Sequence, residues 1–262
     1  MSTAGMTEHL RERYLTLLQR AITHTLYWPL DNDWNRDYNK NVADALPDYD
    51  WDQVRAEGKD WPKFAQTMVG LERLDNVRTC VERIVADDVP GDLIETGVWR
   101  GGVVIFMRAL LDAWGDETRS VYVADSFQGL PPPAEAYPAD ADSELHTKPA
   151  LAISRNEVEK NFERYGLLDG RVHFLEGWFR DTLPTVSDRT WSIVRLDGDM
   201  YESTMDGLTN LYPQLSPGGF LIVDDYEYEP CHRAVTDYRE RNGIDEPIEA
   251  IDWIGAFWRR AR

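Results

Sequence analysis

The sequence predicts an α/β fold built on a mostly parallel, seven-stranded sheet. Three observations predict it. After Pro90-Gly91, short apolar runs alternate with segments of helical period. The first run, DLIETGV, is followed by Gly101 and Gly102 and then by a helical stretch. Two later runs end in carboxylates: WSIVRLDGD in Asp197 and Asp199, and GFLIVDDY in Asp224 and Asp225. Strand–helix alternation of this kind gives a parallel sheet covered on both faces. In such sheets ligands sit beyond the carboxyl ends of the strands, where these acids fall.

In chain order, residues 8–28 carry Leu10, Tyr14, Leu17, Leu18 and Ile22 at helical spacing. Residues 29–61 are rich in Asp, Asn, Trp and Tyr and read as loop or short helix. Trp28, Trp34, Tyr38, Tyr49, Trp51 and Trp61 offer flat faces either to a ring-bearing ligand or to a second subunit. Residues 61–88 read as helix, with Phe64, Met68, Leu71, Leu74, Val77 and Val81 near one face. Strands follow at 92–98, 120–126, 172–177, 191–199 and 219–226, separated by helices over about 102–114, 152–166 and 203–214. A helix over about 230–241 and short strands near 248–251 and 256–260 close the chain. Residues 127–150 hold five prolines and several acids and form a long loop, placed to act as a lid.

Composition narrows the function. The 262 residues carry a net charge of −19, a balance that repels phosphate backbones and argues against a nucleic-acid partner. The two cysteines, Cys80 and Cys231, form no CxxC pair, which argues against zinc and fits a reducing compartment. The start MSTAGMTEHLRERY has no apolar core of a secretory signal, and no 18-residue apolar run exists. A cytoplasmic chain with no membrane partner is therefore expected.

The first strand ends E-x-G-x-x-x-G, with Glu95, Gly97 and Gly101, rather than the dinucleotide pattern G-x-G-x-x-G. A pyrophosphate would be repelled by Glu95, whereas a cationic ligand would be attracted. S-adenosylmethionine carries a sulfonium and an ammonium and no phosphate. Asp125 ends the second strand, where an acid can accept hydrogen bonds from ribose hydroxyls, and Ser126 follows it. Gly177, Trp178 and Phe179 fall at the next strand end, where an aromatic side chain can pack on an adenine or in the core.

Asp197 and Asp224 lie one strand–helix–strand unit apart, so neighbouring strands bring their ends to about 5 Å separation. Without a cation, three or four converging carboxylates are unfavourable. An all-oxygen set suits Mg²⁺ or Ca²⁺. A hard cation lowers the pKa of an acceptor hydroxyl, and a nearby carboxylate can take the proton. Arg195, two residues before Asp197 and on the same strand face, is expected as an ion-pair partner. His146 in the long loop is a weak candidate base.

The segments ETGVWRGG, VADSFQGLP, NFERYGLLD, RLDGDMYESTMDGL and LSPGGFLIVDDY together resemble the macrocin O-methyltransferase family, metal-dependent sugar methylases of antibiotic biosynthesis. FAQTMVGLERLDNV upstream and CHRAVTDYR and FWRR downstream extend the likeness to residues 60–262. The resemblance implies a Rossmann-like class I S-adenosylmethionine-dependent methyltransferase fold over residues 91–262. Residues 1–90 are then a helical extension or cap that touches substrate, closes over the cofactor or forms a homodimer contact. It implies cofactor contacts at Thr67, Met68, Glu95, Thr96, Gly97, Gly101, Asp125, Ser126, Gly177 and Trp178, and Mg²⁺ at Asp197, Asp224 and Asp225. The implied acceptor is a deoxysugar hydroxyl of a glycosylated natural product. The N-terminal aromatic insert and the overall length are most similar to members acting on the 4-hydroxyl of noviose in aminocoumarin antibiotics. A phenol- or catechol-directed methylase of the same fold is the alternative. Relatives of that kind use a lysine as base three residues after the first metal aspartate. Met200 stands there, so Asp197 or Asp199 must take the proton, with Asp197 favoured. A nucleotide-binding protein without catalysis is a third possibility, disfavoured by Glu95.

Overall fold

The computed structural model describes residues 3–27, 39–40 and 50–261. Seven strands form one sheet in the order β3-β2-β1-β4-β5-β7-β6. They are β1 (Asp92–Thr96), β2 (Val121–Asp125), β3 (Val172–Glu176), β4 (Trp191–Leu196), β5 (Leu215–Val223), β6 (Glu249–Ala250) and β7 (Ala256–Arg259). The first five run parallel; β7 pairs antiparallel with β5, and β6 with β7. The strand order reverses between β1 and β4, which opens a crevice at the carboxyl ends of these two strands.

The helices are α1 (Thr3–Ile22), α2 (Trp51–Ala56), α3 (Leu71–Ala86), α4 (Gly102–Ala113), α5 (Arg155–Arg164), α6 (Phe179–Thr182), α7 (Tyr201–Leu211) and α8 (Glu229–Asn242). Both sheet faces are covered. On one side Leu93, Val123, Ile193 and Ile222 pack against α3 and α4; on the other Ile94, Val194, Leu221 and Val223 pack against residues of α7 and α8. Every residue of α4 from Gly102 to Leu111 is buried. The one charge among them, Arg108, pairs with Asp112 and Asp169. A helix buried on all sides needs cover on all sides. Leu15, Leu18 and Ile22 of α1 and Leu74, Val77 and Val81 of α3 supply it, so the N-terminal helices share one continuous core with the sheet. Each fully buried leucine contributes about 1.5–3 kcal/mol, and α1 therefore adds a third layer rather than a loose appendage.

Residues 61–70 differ from the helix expected there: α3 begins only at Leu71. The stretch is held by other partners instead. Gln66 N donates to Ile22 O at 2.9 Å, and Gly102 N donates to Gln66 O at 2.8 Å. Gly58 and Gly70 meet so closely that a Cβ on Gly70 would stand 2.5 Å from Ala56 O. Periodicity alone cannot detect these long-range bonds. The helix expected over 8–28 lies earlier, at Thr3–Ile22, while the boundaries expected for the helices after β1 hold to within three residues.

The long loop after β2 is ordered by short 3-10 turns and one buried acid. Met200 stands at the N-cap of α7, and its side chain cannot cap the helix. Asp140, fully buried, accepts from Tyr201 N at 2.7 Å and Glu202 N at 3.0 Å and caps α7 from a distance of sixty residues of chain. No helix among the described residues is long and apolar enough to cross a membrane.

Candidate active site

A cavity of about 300 Å³ opens at the carboxyl ends of β1, β2, β3, β4 and β5. Glu95, Gly97, Asp125, Ser126, Gly177 and Trp178 line it, as do Thr67 and Met68 from the N-terminal segment. Asp197, Asp199, Asp224 and Asp225 line its floor. Thr96 and Gly101 do not line it. Thr96 is buried within the sheet, where its carbonyl receives Asp197 N at 2.9 Å. Gly101 starts α4 at φ 84°, with Val158 packed against it.

Gly97 shows why the first loop is glycine-rich. Its φ is 80°, and a Cβ there would stand 1.6 Å from Asp197 O. The β1 and β4 loops can meet only over a glycine. Asp125 then fixes the loops around it: its carboxylate accepts from Val98 N at 2.8 Å and Phe127 N at 2.7 Å. Ser126 Oγ donates to Gly129 O at 2.6 Å and accepts from Gln128 N at 3.0 Å, so it shapes the start of the lid. His146 is exposed and lies outside the cavity lining.

The carboxylates fall into two groups. Arg195, fully buried, bonds Glu95 Oε1, Asp197 Oδ2 and Asp224 Oδ1 at once, the Asp197 contact at 2.8 Å. Arg73 bonds the other oxygen of Asp224 at 2.5 Å and faces Asp252 at 3.0 Å. Asp224 thus spends both oxygens on arginines. The second group is Asp197, Asp199 and Asp225, whose oxygens lie within 4.8 Å of one another. The geometry therefore brings Asp199, rather than Asp224, next to Asp197 and Asp225, which differs from the expected trio. Asp224 lines the same cavity, and its charge acts on all three carboxyls of the group.

The electrostatics follow. Withdrawal from water and then the charge of Asp224 hold the Asp197 carboxyl well above the ordinary range. Asp225 is raised too, by burial and then by Asp199 and Asp197. Asp199 is pushed up to about 6 by burial and the Asp224 charge, and its backbone is held at φ 56°. A non-glycine residue at positive φ is strained, and such strain concentrates at functional sites. Burial, partly offset by Arg195, pushes Glu95 to about 7. Its second oxygen, Oε2, is buried with no hydrogen-bond partner.

These residues fit the groups implied by the sequence. The unpartnered Glu95 Oε2 suits the ammonium of an S-adenosylmethionine, and the glycine cradle at Gly97 leaves its backbone open to close approach. Three converging carboxylates suit a hard divalent cation, which would relieve their mutual repulsion.

Two arginines were not singled out in the sequence. Arg73 sits at the spacing 73, 77, 80 and 84 with Val77, Cys80 and Ile84, a charge on a core stripe, and that mismatch is a readable signal. Arg55 is fully buried; it bonds Asp60 and the carbonyls of Met68 and Val69, each at 2.7 Å, and so shapes the cavity roof. Trp28, Trp34, Tyr38 and Tyr49 lie outside the described residues.

A mostly parallel sheet with this strand order, an acid-glycine loop after β1 and acids at the ends of β2, β4 and β5 define a Rossmann-like α/β scaffold with its site at the strand ends. The macrocin-O-methyltransferase (TylF) family model matches residues 11–260. The chain is 52% identical over 258 residues to a Streptomyces olivaceus 8-demethyl-8-(2,3-dimethoxy-alpha-L-rhamnosyl)-tetracenomycin-C 4'-O-methyltransferase, covering 97% of this chain and 95% of that one. It is 45% identical over 265 residues to the Streptomyces niveus demethyldecarbamoylnovobiocin O-methyltransferase, covering 100% and 98%. A Micromonospora griseorubida mycinamicin III 3''-O-methyltransferase is 45% identical over 255 residues, 95% of this chain and 97% of that one. The solved structure of the O-methyltransferase NovP superposes with a TM-score of 0.86 at 45% identity, over 96% of this chain and 100% of that one. The chain belongs to the macrocin-O-methyltransferase family.

Proposed function

We propose that this enzyme moves the methyl group of S-adenosylmethionine to a deoxysugar hydroxyl of a glycosylated natural product, with Mg²⁺ at the carboxylate floor. The observation that carries it is the convergence of Asp197, Asp199 and Asp225 within 4.8 Å, beside the unpartnered oxygen of Glu95. Bound S-adenosylmethionine supplies a sulfonium-activated methyl group, and bound Mg²⁺ supplies Lewis acidity toward the acceptor hydroxyl.

The residues divide the work. Glu95 holds the cationic end of the cofactor, and Asp125 faces its ribose. Thr67 and Met68 roof the site, and Gly177 and Trp178 border the adenine end. Asp197 and Asp225 hold the cation. Asp224 completes that set through the lone pairs its arginines leave free. Asp199 takes the proton that the acceptor hydroxyl gives up as its oxygen accepts the methyl group. It is better placed for this than Asp197, because Asp197 is bound to Arg195 and Asp199 is bound to no arginine among the described residues. Met200, buried at the start of α7, brings no lysine to the site, which disfavours a catechol-type mechanism.

Within this acceptor class the 4-hydroxyl of noviose is the sequence-based expectation. The tetracenomycin relative is named for 4'-O-methylation of a rhamnosyl compound, which supports a deoxysugar acceptor without choosing between the two sugars. A homodimer belongs to the same reading: α1 turns Met6, Leu10, Tyr14 and Leu17 outward, each at least 42% exposed, and sedimentation at the mass of one chain would remove it.

The test is methyl transfer read by a 14 Da mass gain (about one CH₂), with three acceptors: demethyldecarbamoylnovobiocin, mycinamicin III and the demethyl rhamnosyl tetracenomycin. At least one gains the methyl group, EDTA abolishes the gain and Mg²⁺ restores it. Full turnover after EDTA treatment would remove the metal from the account.

A further inference from the structure

We infer that Trp253 is the platform on which the acceptor's ring stacks, a specificity-determining residue outside the cofactor site. The inference rests on the reading above that the acceptor is a glycoside.

Trp253 is the most exposed tryptophan among the described residues, at 48%. The packing role of tryptophan is filled elsewhere, by the fully buried Trp191 and Trp258. Trp253 instead borders the cavity, together with Ile254, Asp224 and Asp225. An indole left half open at the rim of a cavity keeps apolar area in water unless a ligand covers it.

The ring is held rather than loose. Its turn, between β6 and β7, is closed by Ile251 N donating to Gly255 O at 2.8 Å. Asp252 Oδ1 accepts from Ile254 N at 3.0 Å and Gly255 N at 2.8 Å, which locks the turn from inside. The indole N–H donates to Glu57 O at 3.0 Å, so the polar edge is satisfied and tied to the end of α2. Asp252 Oδ2 faces Arg73, and Arg73 bonds Asp224 at 2.5 Å. One arginine thus sets both the turn that carries Trp253 and a carboxylate of the floor. The ring stands at a fixed relation to the reacting centre.

This arrangement matches the two-sided chemistry of a pyranose. The axial C–H face of a sugar is apolar and covers an aromatic ring, while its hydroxyl edge is polar and turns toward carboxylates. A ring resting on Trp253 therefore directs its hydroxyls to the floor formed by Asp197, Asp199 and Asp225. The glycosidic bond leaves by the open rim. Specificity for the sugar then comes from the fit between the platform and the carboxylates, and the aglycone is selected further out.

Two variants test this: Trp253→Ala, which removes the platform, and Trp253→Phe, which keeps a flat face but loses the N–H. Each is assayed with the acceptor of the three-glycoside panel that the wild type methylates, and each is titrated with S-adenosylmethionine by calorimetry. The alanine variant is expected to raise the acceptor KM roughly tenfold, the scale of a stacking contact. Its kcat and its cofactor Kd stay within about twofold, and the phenylalanine variant recovers most of the lost affinity. An unchanged acceptor KM in the alanine variant overturns the inference. Equal losses in both variants also overturn it, because they assign the effect to the bond with Glu57. Wild-type protein that binds S-adenosylmethionine and methylates none of the three glycosides fails the acceptor reading itself.

Discussion

Asp224 and Asp225 are neighbours in the chain, yet the molecule treats them in opposite ways. Asp224 gives both oxygens to Arg73 and Arg195. Asp225 forms no ion pair with an arginine among the described residues; its carboxylate accepts from the Asp199 backbone N–H at 3.2 Å, and it faces the carboxylates of Asp197 and Asp199. The inner half of the site is neutralised by the protein's own cations. The outer half is left repulsive. A chain that can place two buried arginines beside one aspartate could have placed them beside the other. Where it does not, the proposed divalent cation would complete the site. Buried charge is retained only when paired, and the pairing partner need not be part of the protein.

The sharpest way to break the contrast is to remove the inner compensation. Arg195→Met leaves Glu95, Asp197 and Asp224 sharing one arginine fewer inside the fold. Breaking a buried pair on one side costs about 3–5 kcal/mol, so the urea midpoint should fall steeply and S-adenosylmethionine binding should be lost with it. A near-normal midpoint would show that Arg195 does not hold the site together.

The next effect is catalytic rather than structural. Asp199→Asn removes the proposed base and one member of the repulsive group. Methyl transfer should fall by about 10²–10⁴, while the thermal midpoint of the metal-free protein stays level or rises. A loss of cation binding as large as the loss in rate would move Asp199 from base to ligand.

The smallest effect extends the contrast to the cavity wall. Asp206 lines the cavity one helical turn from Glu202, and burial followed by the Glu202 charge pushes its pKa up to about 6. Its native pKa lies above the unfolded one, so the native state holds more protons between the two values. Its contribution to stability therefore falls as pH rises through the window from about 4 to about 6. Asp206→Asn removes that cost. The midpoint should rise by a few degrees at most at pH 8 and stay unchanged at pH 4, and thermal melts at the two pH values check it. A gain at pH 4 would contradict the sign.

Much of this was legible in the sequence. Strand–helix alternation after Pro90 identifies the sheet, because burial on both faces leaves a plain apolar run in each strand. Glu95, Gly97, Asp125, Asp197, Asp224 and Asp225 could be placed at strand ends by counting, and all six line the cavity. The division of labour among the acids could not be counted. It depends on Arg73, which arrives from a helix 151 residues before Asp224. The extended run at 61–70 was hidden for the same reason: its bonds go to Ile22 and Gly102, not to its own neighbours. The cap that Asp140 places on α7 is another long-range bond. Local pattern reports local structure, and the pieces that tune the site are joined across the chain.

The central claim is that Asp225, together with Asp197 and Asp199, takes up a divalent cation. The most direct measurement is a Mn²⁺ titration of EDTA-stripped protein, wild type against Asp225→Asn, read by the loss of free Mn²⁺ signal in electron paramagnetic resonance. The wild type should take up one ion per chain, and the variant should bind it at least tenfold more weakly while keeping its fold. An isotherm in the variant that overlays the wild type would contradict the account.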